Sequence, residues 1–397
     1  MDPRLAAIGR HHADLTAIRH DLHRHPELGY EETRTAALVA DQLRRCGVDE
    51  IHTGIGRTGV VGVIHGRHEG DGSVGLRADM DAIPIEEKNE FGHRSTLAGK
   101  MHGCGHDGHT TMLLGAVRYL TETRNFAGRV HVIFQPGEEG HAGARAMIRD
   151  GLFDRFPVSS VFALHNWPSL PAGTIGINPG PMMAGIDVFR LRIAGVGGHG
   201  AHPHQTVDPI IATAHVLTAL QTIVSRNVNP LQSAVISFHH LQAGSPTALS
   251  VIPDAVDTAG IVKWYAAPVQ ELVERRLGEV AAQAAAALGA RAEVTYDKLY
   301  PPTINDPAEA ARVVRLATGL FGAGNVVADM EPSMGSEDFA FMLQAKPGAY
   351  FRLGTGAKAG AFLHSPHYDF NDAVIPVGAA LFAAIVEDAL APAGRAS

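Results

Sequence analysis

Three apolar, strand-like runs in this chain each end in side chains that can bind a metal ion, and this recurrence constrains the fold most. The runs are Val74–Asp81, which ends in Asp79 and Asp81, Val130–Phe134, which leads to Glu138 and Glu139, and Val161–Leu164, which leads to His165 and Asn166. Adjacent glutamates alone usually mark a solvated helix start. Ligands of open α/β sheets, however, bind at the carboxyl ends of strands. The recurrence therefore predicts a βαβ series with a metal site at one edge of its sheet.

The segment Met101–His109 is rich in potential ligands. Three histidines, one cysteine and one aspartate occur among its nine residues, and three of the other four are glycines. Glycine lets the backbone turn tightly, so that ligands approach one centre. The Cys104 thiolate and the His106 imidazole suit Zn²⁺ or a neighbouring divalent transition metal. A lone histidine would be interpreted as a surface residue, but a thiol in a glycine-rich turn before a helix (Thr110–Leu120) favours metal binding.

A different pattern begins near residue 185. The predicted elements are a strand through Phe189–Ile193, a helix at Asp208–Arg226, strands at Ala234–Leu241 and Ala255–Val262, a helix at Pro268–Leu288 and a strand at Ala292–Leu299. This β-α-β-β-α-β order is that of a ferredoxin-like fold. We therefore predict an inserted domain at residues 184–299, within a discontinuous metal-binding domain formed by residues 1–183 and 300–397.

The last part of the chain returns to α/β character. A helix is predicted at Ala308–Phe321, a strand at Ala349–Leu353 and a closing helix at Pro376–Leu390. His364, at the end of a short apolar run, is the last candidate ligand. The segment Gly335–Phe339 is expected to cap the helix that follows it, although its acids could also serve the metal site.

Two glycine patterns resemble a dinucleotide-binding loop, which requires a strand before it and a helix after it. Gly54–Gly59 precedes a strand-like run instead of a helix. Gly195–Gly200 follows a strand but leads into a His-Pro-His sequence. Both fail the test of context, which weakens the hypothesis of a dinucleotide-dependent oxidoreductase.

Composition excludes several classes of function. A net charge of −8 over 397 residues, without a basic run, argues against nucleic acid as a partner. No stretch approaches the ~18 apolar residues of a membrane span, and no secretory signal is visible. Cys46 and Cys104 make no disulfide framework. We therefore expect a cytoplasmic protein with no membrane partner.

Taken together, the motifs resemble the M20 metallopeptidase family, in its aminoacylase, hippurate hydrolase and auxin-conjugate hydrolase branch. The segments that carry the resemblance are Leu22–Gly29, Arg77–Ile85, Met101–His109, Gln135–Gly140, His165-Asn166, Gly195–His204, Gly335–Phe339 and His364–Phe370. The resemblance implies an α/β, mixed-sheet, dinuclear-metal catalytic domain of aminopeptidase-like type, with an inserted ferredoxin-like α+β lid that forms a homodimer. It also implies hydrolysis of the amide bond of N-acyl-L-amino acids.

The resemblance assigns roles to individual residues. The metal ligands of this branch match Cys104, His106, Glu139, His165 and His364. Glu138 matches the general base, His199 matches a lid histidine that reaches the partner subunit's site, and Asp81 matches a carboxylate that orients the ligands. Two divalent ions per chain are implied, Zn²⁺ or Mn²⁺, with Co²⁺ or Ni²⁺ as alternatives. Whether a thiolate or a carboxylate bridges them stays open.

Two departures from the family pattern affect substrate scope. Relatives commonly have Asn where this chain has Ser250, and Arg where it has Lys263; the Asn helps to bind substrate across the dimer. A metallo-dipeptidase or carboxypeptidase with the same site is the nearest alternative. A catalytically silent binding protein on this fold is another, but it should lack the base or a ligand, and all are present.

Overall fold

The computed structural model describes residues 2–356 and 361–392, which form two compact units. The first unit contains the described residues up to Met182, together with Thr303–Pro332 and those from Asp338 onward. The second contains Met183–Pro302 and Ser333–Glu337. Each unit has its own hydrophobic core. Among the described residues, no helix is long and apolar enough to cross a membrane.

The strands of the described residues are β1 (Glu50–Ile55), β2 (Gly59–His65), β3 (His68–Asp79), β4 (Ala127–Gln135), β5 (Ser160–Trp167), β6 (Ile175–Gly176), β7 (Pro181–Met183), β8 (Gly185–Ala194), β9 (Gly198–His199), β10 (Ala234–Ala243), β11 (Val251–Ile252), β12 (Ala255–Trp264), β13 (Arg291–Tyr300), β14 (Thr303–Ile304), β15 (Val326–Val327) and β16 (Gly348–Gly354). The α-helices are α1 (Pro3–Gly9), α2 (His12–Arg24), α3 (Thr33–Arg45), α4 (His106–Thr123), α5 (Glu138–His141), α6 (Gly143–Arg149), α7 (Leu152–Arg155), α8 (Pro209–Thr222), α9 (Ala267–Ala286), α10 (Pro307–Phe321), α11 (Ala340–Ala345) and α12 (Ile375–Ala389).

An eight-stranded mixed sheet forms the centre of the first unit, in the order β1-β2-β4-β3-β5-β16-β6-β15. The three runs that end in potential ligands are β3, β4 and β5, and β3 lies between the other two in parallel pairing. Their central residues are buried and, apart from Arg77 and His131, apolar, as expected where helices cover both faces of a sheet. The predicted α/β fold with a mixed sheet is confirmed, and the three strand ends meet at one edge.

The helix α4, which follows the ligand-rich turn, packs closely against α12. A Cβ added at Gly378 of α12 would lie 2.3 Å from the sulfur of Met112 in α4. Gly115 faces Ala379 in the same way, at 3.1 Å. These small residues let the two helices approach closely, and α4 begins at His106, four residues earlier than predicted. His106 and His109 are therefore helical residues.

The second unit contains a four-stranded antiparallel sheet in the order β10-β12-β8-β13. In β8, buried Phe189, Leu191 and Ile193 alternate with Arg190 and Arg192, as the sequence predicts. The helices α8 and α9 pack against each other and contribute to the same apolar core. The chain order β8-α8-β10-β12-α9-β13 with this strand order is ferredoxin-like.

The first glycine pattern, Gly54–Gly59, joins β1 to β2 in an antiparallel hairpin. Gly54 and Gly56 have positive φ angles of 80° and 61°, which glycine adopts at little cost. A strand and not a helix follows this turn, so the structure agrees with the prediction that Gly54–Gly59 is not a dinucleotide-binding loop.

Candidate metal centre

The edge where β3, β4 and β5 end gathers the potential ligands of the first unit. Their ligand atoms fall into overlapping groups within 4.8 Å, namely Cys104 with His106 and His165, Cys104 with Glu139 and His364, and His106 with Glu138 and Glu139. All five predicted ligands and the predicted base therefore lie in one cluster. Their separate roles stay predictions.

The turn before α4 brings Cys104 and His106 to this edge. Gly105 has a φ of 89°, and an added Cβ would lie 2.7 Å from the Asn166 side-chain oxygen and 2.8 Å from the Tyr368 hydroxyl. Only glycine fits both the backbone conformation and the space. This residue allows the thiol and the imidazole on either side of it to approach the end of β5.

His106 has the environment of a metal-binding imidazole. It is fully buried, its Nδ1 lies 3.3 Å from Asp81 Oδ1 and its Nε2 lies 3.8 Å from Asp79 Oδ2, and neither ring nitrogen has a hydrogen-bond partner among the described residues. Burial alone would lower its pKa, but Asp79 and Asp81 raise it to about 10. A buried imidazole that lies beside carboxylates and makes no hydrogen bond of its own is suited to bind a metal ion.

Cys104 and His165 face each other across the cluster, with Sγ 3.4 Å from Nε2. The backbone oxygen of Asn166 lies 2.7 Å from His165 Nδ1, which leaves Nε2 available as a ligand. Burial, followed by the charges of Glu139 and Glu138, raises the pKa of the Cys104 thiol well above its ordinary value. A thiol, imidazoles and carboxylates lie this close together, and this donor set fits divalent transition-metal ions, which would bind Cys104 as the thiolate.

A tight turn carries Glu138 and Glu139 after β4. Gly137 begins it with a φ of 57°, and the two Asp81 oxygens accept the backbone N–H groups of Glu138 and Glu139, each at 3.0 Å. Burial alone would raise the pKa of Asp81, but His106 and these two N–H groups lower it. Asp81 thus stays ionised and orients both the turn and His106.

His364 completes the cluster from the segment after β16. Its Nε2 lies 3.1 Å from Glu139 Oε1, and its side chain is 53% exposed. The residue has a φ of 63°, and its N–H donates to the Gly103 carbonyl at 2.8 Å. A non-glycine residue in this conformation is uncommon, and such strain is concentrated at functional sites.

Asp79 and His109 belong to the same cluster, although the family resemblance assigned them no role. His109 Nδ1 lies 2.6 Å from Asp79 Oδ1, and its Nε2 contacts the Asn166 side-chain oxygen. Both ring nitrogens are thereby occupied, so His109 supports the site rather than opening towards it. The spacing of His106 and His109, three residues apart on one helix face, is the signal that could have found it.

The segment Gly335–Phe339 precedes α11 as expected, but the Asp338 side chain does not cap the helix, and the alternative that the acids of this segment serve the site agrees with its contacts. The N-cap of α11 is Phe339, without a side-chain cap. The Asp338 carboxylate instead accepts from Gln135 Nε2 at 2.8 Å and from Arg77 Nη2 at 3.2 Å. Its backbone N–H donates to Glu138 Oε1 at 3.3 Å. A buried charge needs a charged partner, which favours the pairing with Arg77 over a solvated cap.

Arg77 forms ion pairs with two buried carboxylates of the site, Asp79 and Asp338. Its Nη1 donates to Asp79 Oδ2 at 2.8 Å, while its Nη2 reaches Asp338. All three side chains are fully buried. The sequence does carry a signal for these ion pairs, namely an arginine within a mainly apolar run. When such a strand is buried, the arginine needs carboxylate partners.

The remaining predicted residues lie in the second unit. His199 is exposed on β9 and pairs with Val251 of β11. The backbone oxygen of Ser250 accepts the Gly200 N–H at 2.7 Å, and Lys263 Nζ donates to Ser336 Oγ at 2.7 Å. Their roles in substrate binding and catalysis stay predictions.

The fold and the site define an α/β protein with a cluster of potential metal ligands at one edge of its sheet. The family model described as peptidase family M20/M25/M40 matches residues 75–388. The chain belongs to this family, and it is a metal-dependent amidohydrolase, as predicted.

Curated relatives extend over most of the chain. The hippurate hydrolase of Campylobacter jejuni is 39% identical, and the match covers 93% of this chain and 95% of the relative. The N-acetyl-L-cysteine deacetylase of Bacillus subtilis is 42% identical over 86% and 80%, respectively. Thermostable carboxypeptidase 1 of Saccharolobus solfataricus is 36% identical over 92% of each chain.

A solved structure is also similar throughout. The YXEP protein of Bacillus subtilis, described as a dinuclear metal binding peptidase from the M20 family, has a TM-score of 0.83 and 33% identity to this chain. The match covers 96% of this chain and 99% of that one.

One buried histidine beside the site is expected to make stability depend on pH. His23 Nδ1 lies 2.8 Å from Asp107, and its Nε2 lies 3.2 Å from Glu87. Burial alone would lower its pKa, but these two hydrogen bonds raise it to about 9. Because the folded pKa exceeds the unfolded value of about 6.5, the stabilisation is complete below about pH 6.5 and is lost as pH rises through about 9.

We expect the advantage in unfolding free energy of the wild type over His23→Gln to shrink by about 3 kcal/mol between about pH 6.5 and pH 10. Urea unfolding at a series of pH values measures this difference. The partly exposed His25, replaced in the same way, is the control. A difference independent of pH would show that His23 carries no extra proton in the folded chain.

Proposed function

We propose that this chain hydrolyses the amide bond of N-acyl-L-amino acids, releasing a carboxylic acid and a free amino acid, with two divalent metal ions. The observation that carries the proposal is the overlap of three ligand groups around Cys104 and His106, with Glu138 beside them. The relatives named hippurate hydrolase and N-acetyl-L-cysteine deacetylase support this substrate class.

Five residues would hold the two ions, namely Cys104, His106, Glu139, His165 and His364. Cys104, His106 and Glu139 each occur in two of the three groups, so the groups overlap in one site that would hold both ions. When bound, such ions lower the pKa of a water molecule towards about 7 and polarise a carbonyl group. Zn²⁺ and Mn²⁺ are the ions we expect, and Co²⁺ or Ni²⁺ would suit the same thiolate and imidazole donors.

Glu138 would move the proton. It accepts a proton from the attacking water and delivers it to the leaving amine. Its backbone N–H is held by Asp81, and its Oε1 accepts from the Asp338 N–H. These two contacts limit the motion of the carboxylate, and such positioning contributes to the rate.

The second unit would serve as a lid and as the dimer interface. In this proposal His199 reaches the partner subunit's site and donates a hydrogen bond to the oxyanion of the tetrahedral intermediate. Ser250 and Lys263 would contact the substrate, and the shorter Ser250 would alter its scope. The cytoplasm suits the reaction, because a reducing compartment keeps Cys104 as a thiol.

A carboxypeptidase is the second candidate, because Thermostable carboxypeptidase 1 is as fully covered as the hydrolase relatives. Peptide and N-acyl bonds are both amides, so the same ligands and base would serve either reaction. The two activities differ in the group on the acyl side, and substrate profiling separates them.

Purified protein is expected to hydrolyse members of a panel of N-acyl-L-amino acids, including N-benzoylglycine and N-acetyl-L-cysteine, faster than matched dipeptides. Release of the free amino acid measures the rate, and elemental analysis should find about two ions per chain. Chelation should abolish the activity, and Zn²⁺, Mn²⁺ or Co²⁺ should restore it. Activity unaffected by a chelator, with metal content near zero, would contradict the proposal.

A further inference from the structure

A buried carboxylate outside the predicted ligand set contacts the turn that carries Glu138. Glu32 is fully buried, and burial raises its pKa. No lysine, arginine or histidine among the described residues forms an ion pair with it. A carboxylate without a cation is costly to bury, so its hydrogen bonds indicate what it does.

Helix capping does not account for Glu32. It occupies the N-cap position of α3, but its side chain makes no capping hydrogen bond. Glu27 supplies that function, since its carboxylate accepts the backbone N–H groups of Arg34 and Thr35 at 3.0 and 2.8 Å. The Glu32 side chain is therefore directed elsewhere.

Glu32 binds the turn after β4. Its Oε1 accepts the Gly137 N–H at 2.8 Å, and its Oε2 accepts from the Thr58 hydroxyl at 2.6 Å. The next two N–H groups along the chain, those of Glu138 and Glu139, donate to Asp81. Three consecutive backbone N–H groups thus donate to two buried carboxylates, those of Glu32 and Asp81.

Backbone contacts fix the position of Glu32 relative to Asp81. The segment that precedes α3 docks on the end of β3, where Leu28 pairs with Ala82 and the Ala82 N–H donates to the Glu27 carbonyl at 2.8 Å. A shift of Glu32 would therefore move the turn against Asp81. Because Gly137 has a φ of 57°, its orientation decides where the next side chain points.

We propose that Glu32 is a positioning residue, which acts through the Gly137 backbone to hold Glu138 where it exchanges protons with the reacting groups. The inference rests on the proposed role of Glu138 as the base. Without Glu32, the buried Gly137 N–H loses its acceptor, and the turn relaxes to satisfy it elsewhere. The carboxylate of Glu138 then leaves its productive position.

Glu32→Ala is expected to lower kcat by about 10–100-fold, with KM and metal content nearly unchanged, because a misplacement of about 1 Å can cost this much. Glu32→Gln should retain most of the activity, since its amide oxygen still accepts from Gly137 and its NH₂ donates to Thr58. Glu31→Ala is the matched control: Glu31 is exposed and pairs with Lys100. A folded Glu32→Ala enzyme with wild-type kcat, or a Glu32→Gln enzyme as slow as Glu32→Ala, would overturn the inference.

Two further measurements test the inference if the Glu32→Ala chain does not fold or if the proposed substrate class is wrong. Thr58→Val removes only the hydroxyl donor to Glu32 and should lower kcat several-fold; an unchanged kcat would count against the inference. Hydrogen exchange of the Gly137–Glu139 amides should be faster in Thr58→Val and in Glu32→Ala than in Glu31→Ala. This readout needs no substrate, so unchanged exchange overturns the role of Glu32, whereas an inactive wild-type enzyme overturns the proposed function alone.

Discussion

Replacing Glu138 by glutamine is expected to lower kcat by on the order of 10²–10⁴-fold, while the chain keeps its metal ions. The amide has nearly the shape of the carboxylate and accepts the Asp338 N–H as before, but it cannot take a proton from water. Glu138 is buried beside the ligand cluster, so bulk water does not readily replace it. Turnover of the best N-acyl amino acid and elemental analysis of the same sample measure the two effects.

The neighbouring glutamate supplies the control. Glu139→Gln should weaken metal binding itself, because Glu139 lies in ligand groups with Cys104 and His364 and with His106. Excess metal ion should then restore part of the activity of Glu139→Gln and none of that of Glu138→Gln. A Glu138→Gln enzyme with nearly normal kcat would refute the assigned mechanism.

His199→Ala is expected to lower kcat by about 10²–10³-fold with unchanged metal content, the usual effect of losing one donor to an oxyanion. The Ala201 N–H donates to His199 Nδ1 at 3.0 Å. The proton of a neutral ring therefore lies on Nε2, which is exposed and ready to donate. His202→Ala and His204→Ala, which remove exposed imidazoles from the same turn, are controls that should retain activity.

A mixing experiment tests whether His199 acts across a dimer. If it serves the partner's site, heterodimers of His199→Ala and Glu138→Gln chains contain one site built from wild-type parts of both. Activity should rise above that of either variant after subunit exchange, which mass spectrometry of isotope-labelled chains verifies. Exchange without any gain in activity would place His199 in its own subunit's site or outside catalysis.

The elements of the fold could be predicted because their signals are local. β3, β4 and β5 each contain a mainly apolar run, and such a run is recognised without knowledge of its neighbours. The alternation in β8 and the failed context of Gly54–Gly59 are equally local. Strand ends carrying carboxylates and imidazoles then indicated a site, since parallel neighbours end at the same edge of a sheet.

The sequence could not distinguish the three histidines of the ligand-rich segment by local pattern, because all three lie within eight residues. The tertiary structure separates them by their partners. Neither ring nitrogen of His106 makes a hydrogen bond, both of those of His109 are occupied by Asp79 and Asn166, and His102 is buried outside the ligand groups. Long-range contacts decide these environments, so the local pattern could suggest His106 as a ligand but could not exclude His102 and His109.

The contacts of Glu32 and Asp338, which hold the proposed base Glu138 and its turn, could not be predicted from the sequence either. On the sequence alone, each is an acid before a helix, and nothing in the local pattern predicts that it is buried. In the structure both are buried, and they contact residues 105 and 203 positions away in the chain, Gly137 and Gln135. Local periodicity determined the strands and the edge where the ligands meet, whereas burial and long-range hydrogen bonding decided which acids and imidazoles hold Glu138 and which remain open to metal.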